Sequence, residues 1–282
     1  MPRAIWRGAV SFGLIYVPVD VISASKDGSL SLHYLDSRDF SPVGYQRINK
    51  STGKEVDWAH IVKGYEYEKG RYVALSDADF KHANVKACET IEIANFTDVE
   101  QIPPMYYETP YYLSPQKGGQ KVYSLLRQAL QSTGKVALGT FVMRGRQHLC
   151  VIVANGEVLM LITLRFANEV LTPAVVKEAV DSGRDKKATP AEIAMARKLV
   201  EQMSGPFRPA AFKDSYRADL MRRIQEKIRT KQTHALAEEA PPAERPKAQV
   251  IDLMQALRGS LRKQGAPARA APRKSSKARK RA

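Results

Sequence analysis

Short apolar runs that alternate with polar positions dominate about the first 165 residues, and a period of two indicates β-strands. One strand is predicted over residues 6–21, with apolar side chains at alternate positions: Val10, Phe12, Leu14 and Tyr16. Gly8 and Gly13 within it indicate a bulge, a tight bend or a close backbone approach, and Pro18 predicts an edge or a bulge. A strand that wraps a barrel corner fits this pattern, and so does an ordinary core strand of an α+β domain.

Turn and cap residues divide the rest of this region into further elements. Residues 70–86 predict a short strand and then a helix capped at Ser76, with Asp79 in the capping-box position. Asn155 and Gly156 predict a type I′ hairpin turn between two long apolar strands. Further strands are predicted at residues 29–36, 43–56 (with a hairpin-like turn at Ser51, Thr52 and Gly53), 90–99 and 105–115, with three in 135–166.

Three stretches have the apolar spacing of amphipathic helices. The first spans residues 118–134 and ends at Gly134. The other two, residues 189–205 and 213–234, predict a helical arm that follows a charged, loop-like stretch. Their apolar faces are Val122, Leu125, Leu126, Ala129 and Leu130 in the first helix, Ile193, Ala196, Leu199 and Val200 in the second, and Tyr216, Leu220, Ile224 and Ile228 in the third.

The C-terminal part combines a linker, an amphipathic segment and a basic tail. Residues 235–249 are rich in Ala, Glu and Pro and have no periodicity, which is typical of a linker. Residues 250–264 predict a helix with one apolar stripe: Val250, Leu253, Met254, Leu257 and Leu261. An isolated helix of about 15 residues is marginal in water. The stripe therefore needs a groove, either on the chain's own core or on a partner.

The net charge of +16 is concentrated at the C-terminus, because residues 258–282 hold ten basic residues and no acidic one. Residues 265–282 also lack large apolar side chains, so we expect this tail to be disordered. A polyanion is the expected partner, and nucleic acid is favoured over membrane because the tail has no Trp, Phe or Leu. A purely solubilising tail is the alternative.

The remaining features give no support to an enzyme, a redox site or a membrane protein. No apolar run approaches the ~20 residues that span a bilayer, and there is no secretory h-region, so we expect the protein to stay inside the cell. Cys88 and Cys150 form no CxxC motif and are expected to be buried free thiols. Both Gly-Lys pairs fail the Walker pattern. The scattered histidines and closely spaced carboxylates form no recognisable catalytic motif.

Five stretches together resemble the bacterial Ku family and occur in that family's order: WRGAVSFGLIYVPV, IVKGYEYEKGRYVAL, YYLSPQKGGQKVYSLLRQAL, LITLRF and VIDLMQALRGSL. The resemblance implies a mixed, β-rich fold in which a β-barrel core carries an α-helical C-terminal arm. It further implies a ring-shaped homodimer that binds double-stranded DNA ends without sequence preference for non-homologous end joining. Some family members have paired cysteines where this chain has residues 43–67 without any, so no zinc and no cofactor are expected.

The resemblance makes residues 43–67 part of a bridge over the duplex, and nearby cations have the spacing of phosphate contacts. These are Arg38, Arg47, Lys50, Lys54 and Lys63. A solvated hairpin with ordinary lysines is the alternative. A second, weaker set is Lys117, Lys121, Arg144 and Arg146, and the tail adds Arg269, Arg273, Lys274, Lys277, Arg279, Lys280 and Arg281. The resemblance favours the ATP-dependent DNA repair ligase as the partner of the apolar stripe.

Two function classes follow. The first is a non-enzymatic ring that binds, bridges or protects DNA ends and recruits a ligase. The second is a general DNA-coating architectural protein in which the basic tail dominates binding. The expected location is the cytoplasm, at the nucleoid. The expected divisions are a barrel and DNA-bridge core, a helical arm, a linker, a ligase-binding helix and a tail: residues 1–170, 171–234, 235–249, 250–264 and 265–282.

Overall fold

The computed structural model describes residues 3–82, 89–177, 188–234 and 258–259. The chain divides into two compact units, Met1–Thr172 and Pro173–Ala282. Cys88, the linker, the apolar stripe at residues 250–264 and the basic tail at residues 265–282 lie outside the described residues, apart from residues 258 and 259. The predictions made for these segments therefore stay predictions.

The first unit contains a closed seven-stranded barrel with the order β1-β2-β6-β9-β8-β7-β5. Neighbouring strands are antiparallel, except that β1 and β5 pair in parallel and close the barrel. A separate two-stranded sheet consists of β3 and β4. The strands are β1 (Trp6–Phe12), β2 (Ile15–Ser23), β3 (Lys63–Glu68), β4 (Arg71–Leu75), β5 (Thr90–Asp98), β6 (Tyr107–Pro115), β7 (Lys135–Met143), β8 (Arg146–Asn155) and β9 (Val158–Leu164).

The barrel core is mainly aliphatic, and Phe141 is the largest fully buried side chain of the described residues. Fully burying a side chain of this size contributes about 1.5–3 kcal/mol. Cys150 is part of this core, and burial raises the pKa of its thiol to about 12, so the thiol stays protonated and unreactive. The predicted buried state of this cysteine is confirmed. The core also includes Val10, Val17, Val19, Val21, Ile91, Ile152, Leu159 and Leu161.

Helix α2 (Gln120–Thr133) connects β6 to β7 and ends at Gly134, whose φ is +67°, as predicted. Its Tyr123, Leu126 and Leu130 are buried in the core. The Tyr123 hydroxyl donates to the Leu113 carbonyl at 2.9 Å and accepts from the Leu159 N–H at 2.7 Å, which ties the helix to β6 and β9. The predicted apolar face is wrong at Leu125 and Ala129, which are both exposed.

The single strand predicted over residues 6–21 is wrong, because Gly13 has a φ of +59° and turns the chain back. The two halves form the hairpin β1–β2, and Leu14 is fully exposed in the turn. Pro18 lies inside β2 opposite Ala9 without a bulge, and it has a paired strand on one side only, as a position at a local edge does. The pairing of β2 with β6 begins at Val19, so the missing N–H of proline falls just before that ladder.

Gly8 fulfils the predicted close backbone approach. A Cβ atom at this position would lie 2.1 Å from the Glu89 carbonyl oxygen, which accepts the Ala9 N–H at 2.9 Å next to the parallel closure. We therefore expect Gly8→Ala to destabilise the barrel by about 1–3 kcal/mol. Thermal unfolding measures this change. Gly28→Ala is the control, since a Cβ there meets nothing within 4 Å, and equal melting temperatures for the two variants would contradict the prediction.

The remaining predicted strands of the barrel form, but the β8–β9 turn differs from the prediction. Asn155 pairs with Val158, so Gly156 and Glu157 are the two loop residues. Gly156 has a φ of +58° and Glu157 is not among the residues with positive φ. A type I′ turn needs positive φ at both loop positions, whereas type II′ needs it only at the first. The hairpin is confirmed and its predicted turn type is wrong.

The predicted strands at 29–36 and 43–56 reduce to two isolated bridges, Leu35 with Pro42 and Ile48 with Glu55. Alternating apolar positions form a strand only where a neighbouring strand and a core receive them, and no residue from 24 to 80 is buried. Strand β3 was not predicted. Helix α1 (Asp77–His82) is confirmed with its cap, because the Ser76 N–H donates to Asp79 Oδ2 at 2.7 Å.

The second unit contains the two predicted helices, α3 (Pro190–Met203) and α4 (Ser215–Arg229). Thr189 and Glu192 form a capping box at α3, and Asp214 caps α4 through the Arg217 N–H at 2.9 Å. Neither helix has a buried residue. On their apolar faces, Ile193, Val200, Tyr216 and Ile228 are mostly exposed in the described chain. The other members of these faces are at most half-buried: Ala196, Leu199, Leu220 and Ile224.

Candidate nucleic-acid interface

A long excursion of the chain, residues 24–82, connects β2 to the segment before β5 and carries the first set of predicted DNA-binding cations. We call it the connecting segment. Its sequence holds nine basic and nine acidic residues, so it has no net charge as a whole. Residues 44–54, which we call the basic tip, differ because they contain three basic residues and no acidic one: Arg47, Lys50 and Lys54.

Hydrogen bonds within the basic tip build a tight turn that projects the two lysines. Asn49 Oδ1 accepts from the Ser51 N–H at 2.9 Å and from the Thr52 N–H at 3.2 Å. The Gly53 N–H donates to the Asn49 carbonyl at 2.8 Å, and the φ of Gly53 is +69°. The predicted hairpin-like turn is therefore confirmed, although only the Ile48–Glu55 bridge stands in for the predicted strand.

Ion pairs divide the predicted cations into two groups. Arg38 is neutralised by Asp36, with 2.9 Å between Nε and Oδ1 and 2.5 Å between Nη2 and Oδ2. These hydrogen bonds lower the pKa of the Asp36 carboxyl below its usual value, so that it remains ionised as a partner. Arg146 is ion-paired with Glu169. No ion pair is found for the three cations of the basic tip in the part of the chain that the structure describes.

The other predicted cations lie at three separate places. The ammonium group of Lys63, in β3, lies 4.6 Å from the ring centroid of Phe80. Lys117 precedes α2 and Lys121 is in its first turn, within a stretch of residues 115–135 that has four bases and no acid. Arg144 occupies the β7–β8 turn with a φ of +54°. The structure thus groups the nine core cations by element, and the basic tip holds the largest unpaired group among them.

Aromatic side chains of the connecting segment were missed by the sequence reasoning. The Arg47 guanidinium carbon lies 4.6 Å from the centroid of the Trp58 ring, which is 68% exposed. The sequence did contain a signal for this contact, because Trp58 follows Arg47 by eleven positions and a predicted turn lies between them. Large rings that are at least half exposed recur along this segment: Tyr34, Tyr45, Trp58, Tyr65 and Tyr72. So much exposed aromatic surface is typical of a binding or assembly surface.

The described ranges contain no cluster of three or more His, Cys, Asp or Glu side chains arranged to hold a metal ion. They also contain no helix with the length and hydropathy needed to cross a bilayer. The seven tail cations and the five residues of the apolar stripe lie outside the described residues, so their predicted roles in binding DNA and ligase stay predictions.

Comparisons with known proteins agree with the sequence resemblance. The family model of the Ku70/Ku80 beta-barrel domain matches residues 11–195. Proteins named non-homologous end joining protein Ku are similar over most of this chain. The one from Cupriavidus necator is 48% identical over 94% of this chain and 79% of its own length. Those from Pseudomonas aeruginosa and Opitutus terrae are 44% and 40% identical, over 93% and 98% of this chain and 89% and 97% of their own lengths. The chain belongs to the Ku family.

Proposed function

We propose that this protein acts in non-homologous end joining as a homodimeric ring that binds double-stranded DNA ends without reading their sequence. The observation that carries the proposal is the basic tip, where Arg47, Lys50 and Lys54 lie on an exposed turn without acidic partners in the described chain. Cations of this kind contact phosphates, which position a duplex and carry no sequence information. Membership in the Ku family supports the same function. The protein would then bind and recruit, with no catalytic step of its own.

The proposed homodimer is supported by apolar surface that one chain leaves exposed. Tyr34 and Tyr65 on the connecting segment, and Phe207 and Phe212 between α3 and α4, are all mostly exposed. Large apolar patches on a single chain are typical of an assembly interface. A two-fold dimer would bury the same patches on both copies and place two basic tips around one duplex.

We propose that the segments of the C-terminal part have separate roles. Residues 171–234 form the helical arm, residues 235–249 give reach, residues 250–264 bind the ATP-dependent repair ligase, and residues 265–282 add phosphate contacts. The core, residues 1–170, would bridge or protect the ends, with Lys117, Lys121 and Arg144 as further contacts. A protein that repairs chromosomal DNA would be located in the cytoplasm, at the nucleoid.

The second candidate function is a DNA-coating protein whose tail dominates binding. The concentration of ten basic residues in residues 258–282 favours it. The two functions differ in topology, because a closed ring needs a free end to load, whereas a flexible tail binds linear and circular duplex alike.

We expect the full-length protein to bind a linear duplex much more tightly than the same sequence as a covalently closed circle. A competition assay without metal ions or nucleotide measures the difference. A chain ending at residue 264 is measured in parallel and is expected to lose overall affinity but to keep its preference for ends. Equal binding of linear and circular DNA, or an end preference that disappears with the tail, would refute the ring and favour the coating protein.

A further inference from the structure

The guanidinium group of Arg47 lies against an aromatic ring that the backbone holds in place. Its Cζ atom is 4.6 Å from the ring centroid of Trp58. Trp58 begins the 3₁₀ turn Trp58–His60, and Asp57 caps this turn by accepting the Ala59 N–H at 2.8 Å. The Val56 N–H donates to the Arg47 carbonyl at 2.9 Å. Both partners of the stack are therefore tied to one local framework.

The polar edge of the Arg47 guanidinium group is left available by this arrangement. A guanidinium carries five N–H donors, and contact with a single ring cannot use all of them. Glu55 lies on the other side of the turn, and its Oε2 accepts a hydrogen bond from Gln46 Nε2 at 2.8 Å. In the described part of the chain no carboxylate is ion-paired with Arg47.

A phosphate needs such a guanidinium in one orientation, because a bidentate contact requires two N–H groups directed at two phosphate oxygens. A free arginine side chain loses rotamer freedom when it makes this contact, and that loss opposes binding. A ring beneath the guanidinium limits the rotamers before DNA arrives. Binding then costs less, by the general effect of preorganisation.

We propose that Trp58 is a positioning residue that holds the Arg47 guanidinium ready to contact a DNA phosphate. This inference rests on the proposed role of the basic tip in DNA binding. Trp58 would raise the affinity for DNA only through Arg47 and would not contact a phosphate itself.

The connecting segment offers a matched control. Arg71 lies over the ring of Tyr67 at 5.4 Å, so it forms the same kind of stack. Arg71 is ion-paired with Glu68, however, with Nη1 3.0 Å from Oε2. Tyr67→Ala therefore removes a comparable ring from an arginine that is already neutralised, so it controls for the loss of a ring as such.

The test measures the dissociation constant of the full-length protein for a linear duplex between 50 and 200 mM salt. We expect Trp58→Ala and Trp58→Leu to weaken binding about tenfold, Trp58→Phe to restore most of it, and Tyr67→Ala to change little. Trp58→Ala should leave the salt slope unchanged, because Arg47 keeps its charge. Arg47→Ala should lower the slope by about 2 in a homodimer. In the Arg47→Ala background, Trp58→Ala should have no further effect.

Each contrary result identifies which idea fails. If Arg47→Ala weakens binding and Trp58→Ala weakens it equally in both backgrounds, Trp58 acts independently of Arg47 and the positioning role is wrong, while the basic tip stands. The same holds if Trp58→Leu binds as well as Trp58→Phe, or if sedimentation finds that Trp58→Ala alters the oligomeric state. If Arg47→Ala changes neither affinity nor slope, the proposed DNA contact of the basic tip fails and this inference fails with it.

Discussion

The triple variant Arg47→Ala, Lys50→Ala, Lys54→Ala is expected to bind a linear duplex at least about 100-fold more weakly than the unmodified protein at 100 mM salt. Each of these cations lacks an acidic partner in the described chain, so each can release a counterion from DNA when it contacts a phosphate. Six such contacts in a homodimer correspond to a change in salt slope of about 5. Equilibrium binding measured at several salt concentrations gives both quantities.

A second triple variant removes the same amount of charge from cations that already have partners. Arg38, Arg71 and Arg146 are ion-paired with Asp36, Glu68 and Glu169. Exposed ion pairs contribute little to stability, so Arg38→Ala, Arg71→Ala, Arg146→Ala should remain folded. We expect it to keep most of its affinity and salt slope. Equal losses in the two triple variants would mean that total charge, and not the basic tip, determines DNA binding.

Leu253→Ala together with Leu257→Ala is expected to abolish the stimulation of end ligation by the cognate ATP-dependent ligase. Both residues belong to the apolar stripe, and helix-in-groove recognition depends on a few such anchors. The double substitution truncates two of the five apolar side chains that would enter the partner's groove. Ligation of linear duplexes at matched protein concentrations measures the effect. DNA affinity and dimerisation should remain within error of the unmodified protein.

The control for this variant changes the opposite side of the same segment, with Gln255→Ala and Arg262→Ala. These two positions lie away from the stripe in a helix with 3.6 residues per turn, so ligation should remain close to normal. One result for the leucine variant would contradict the proposal that the apolar stripe binds the ligase. Normal ligation with a melting temperature lowered by several degrees would place the stripe on the chain's own core.

Much of the local structure was predictable because its causes lie within a few residues. Helix α2 follows from the spacing of its apolar positions and from Gly134, which ends it. The α1 cap follows from Ser76 and Asp79, three positions apart. The concentration of charge in residues 258–282 is likewise a property of the sequence alone. The motifs that identify the Ku family are also local, so the amino-acid sequence was enough to recognise the family.

The tertiary structure decided what depends on contacts between distant residues. The parallel pairing of β1 with β5 closes the barrel, and Gly8 is needed there because of Glu89, eighty-one positions later. The alternation in residues 29–36 is as regular as in many strands, yet no strand forms, because nothing pairs with it beyond the single Leu35–Pro42 bridge. Strand formation requires a partner for the backbone and a core for the side chains, and neither is encoded within the segment itself.

The same distinction applies to the candidate interface. The sequence determined which residues carry charge and that Arg38, Arg47, Lys50 and Lys54 lie close together along the chain. Only the structure distinguished Arg38, which is held by Asp36, from Arg47, which is stacked on Trp58. The physical reason is that the availability of a cation depends on the groups within about 4 Å of it, and folding decides those neighbours.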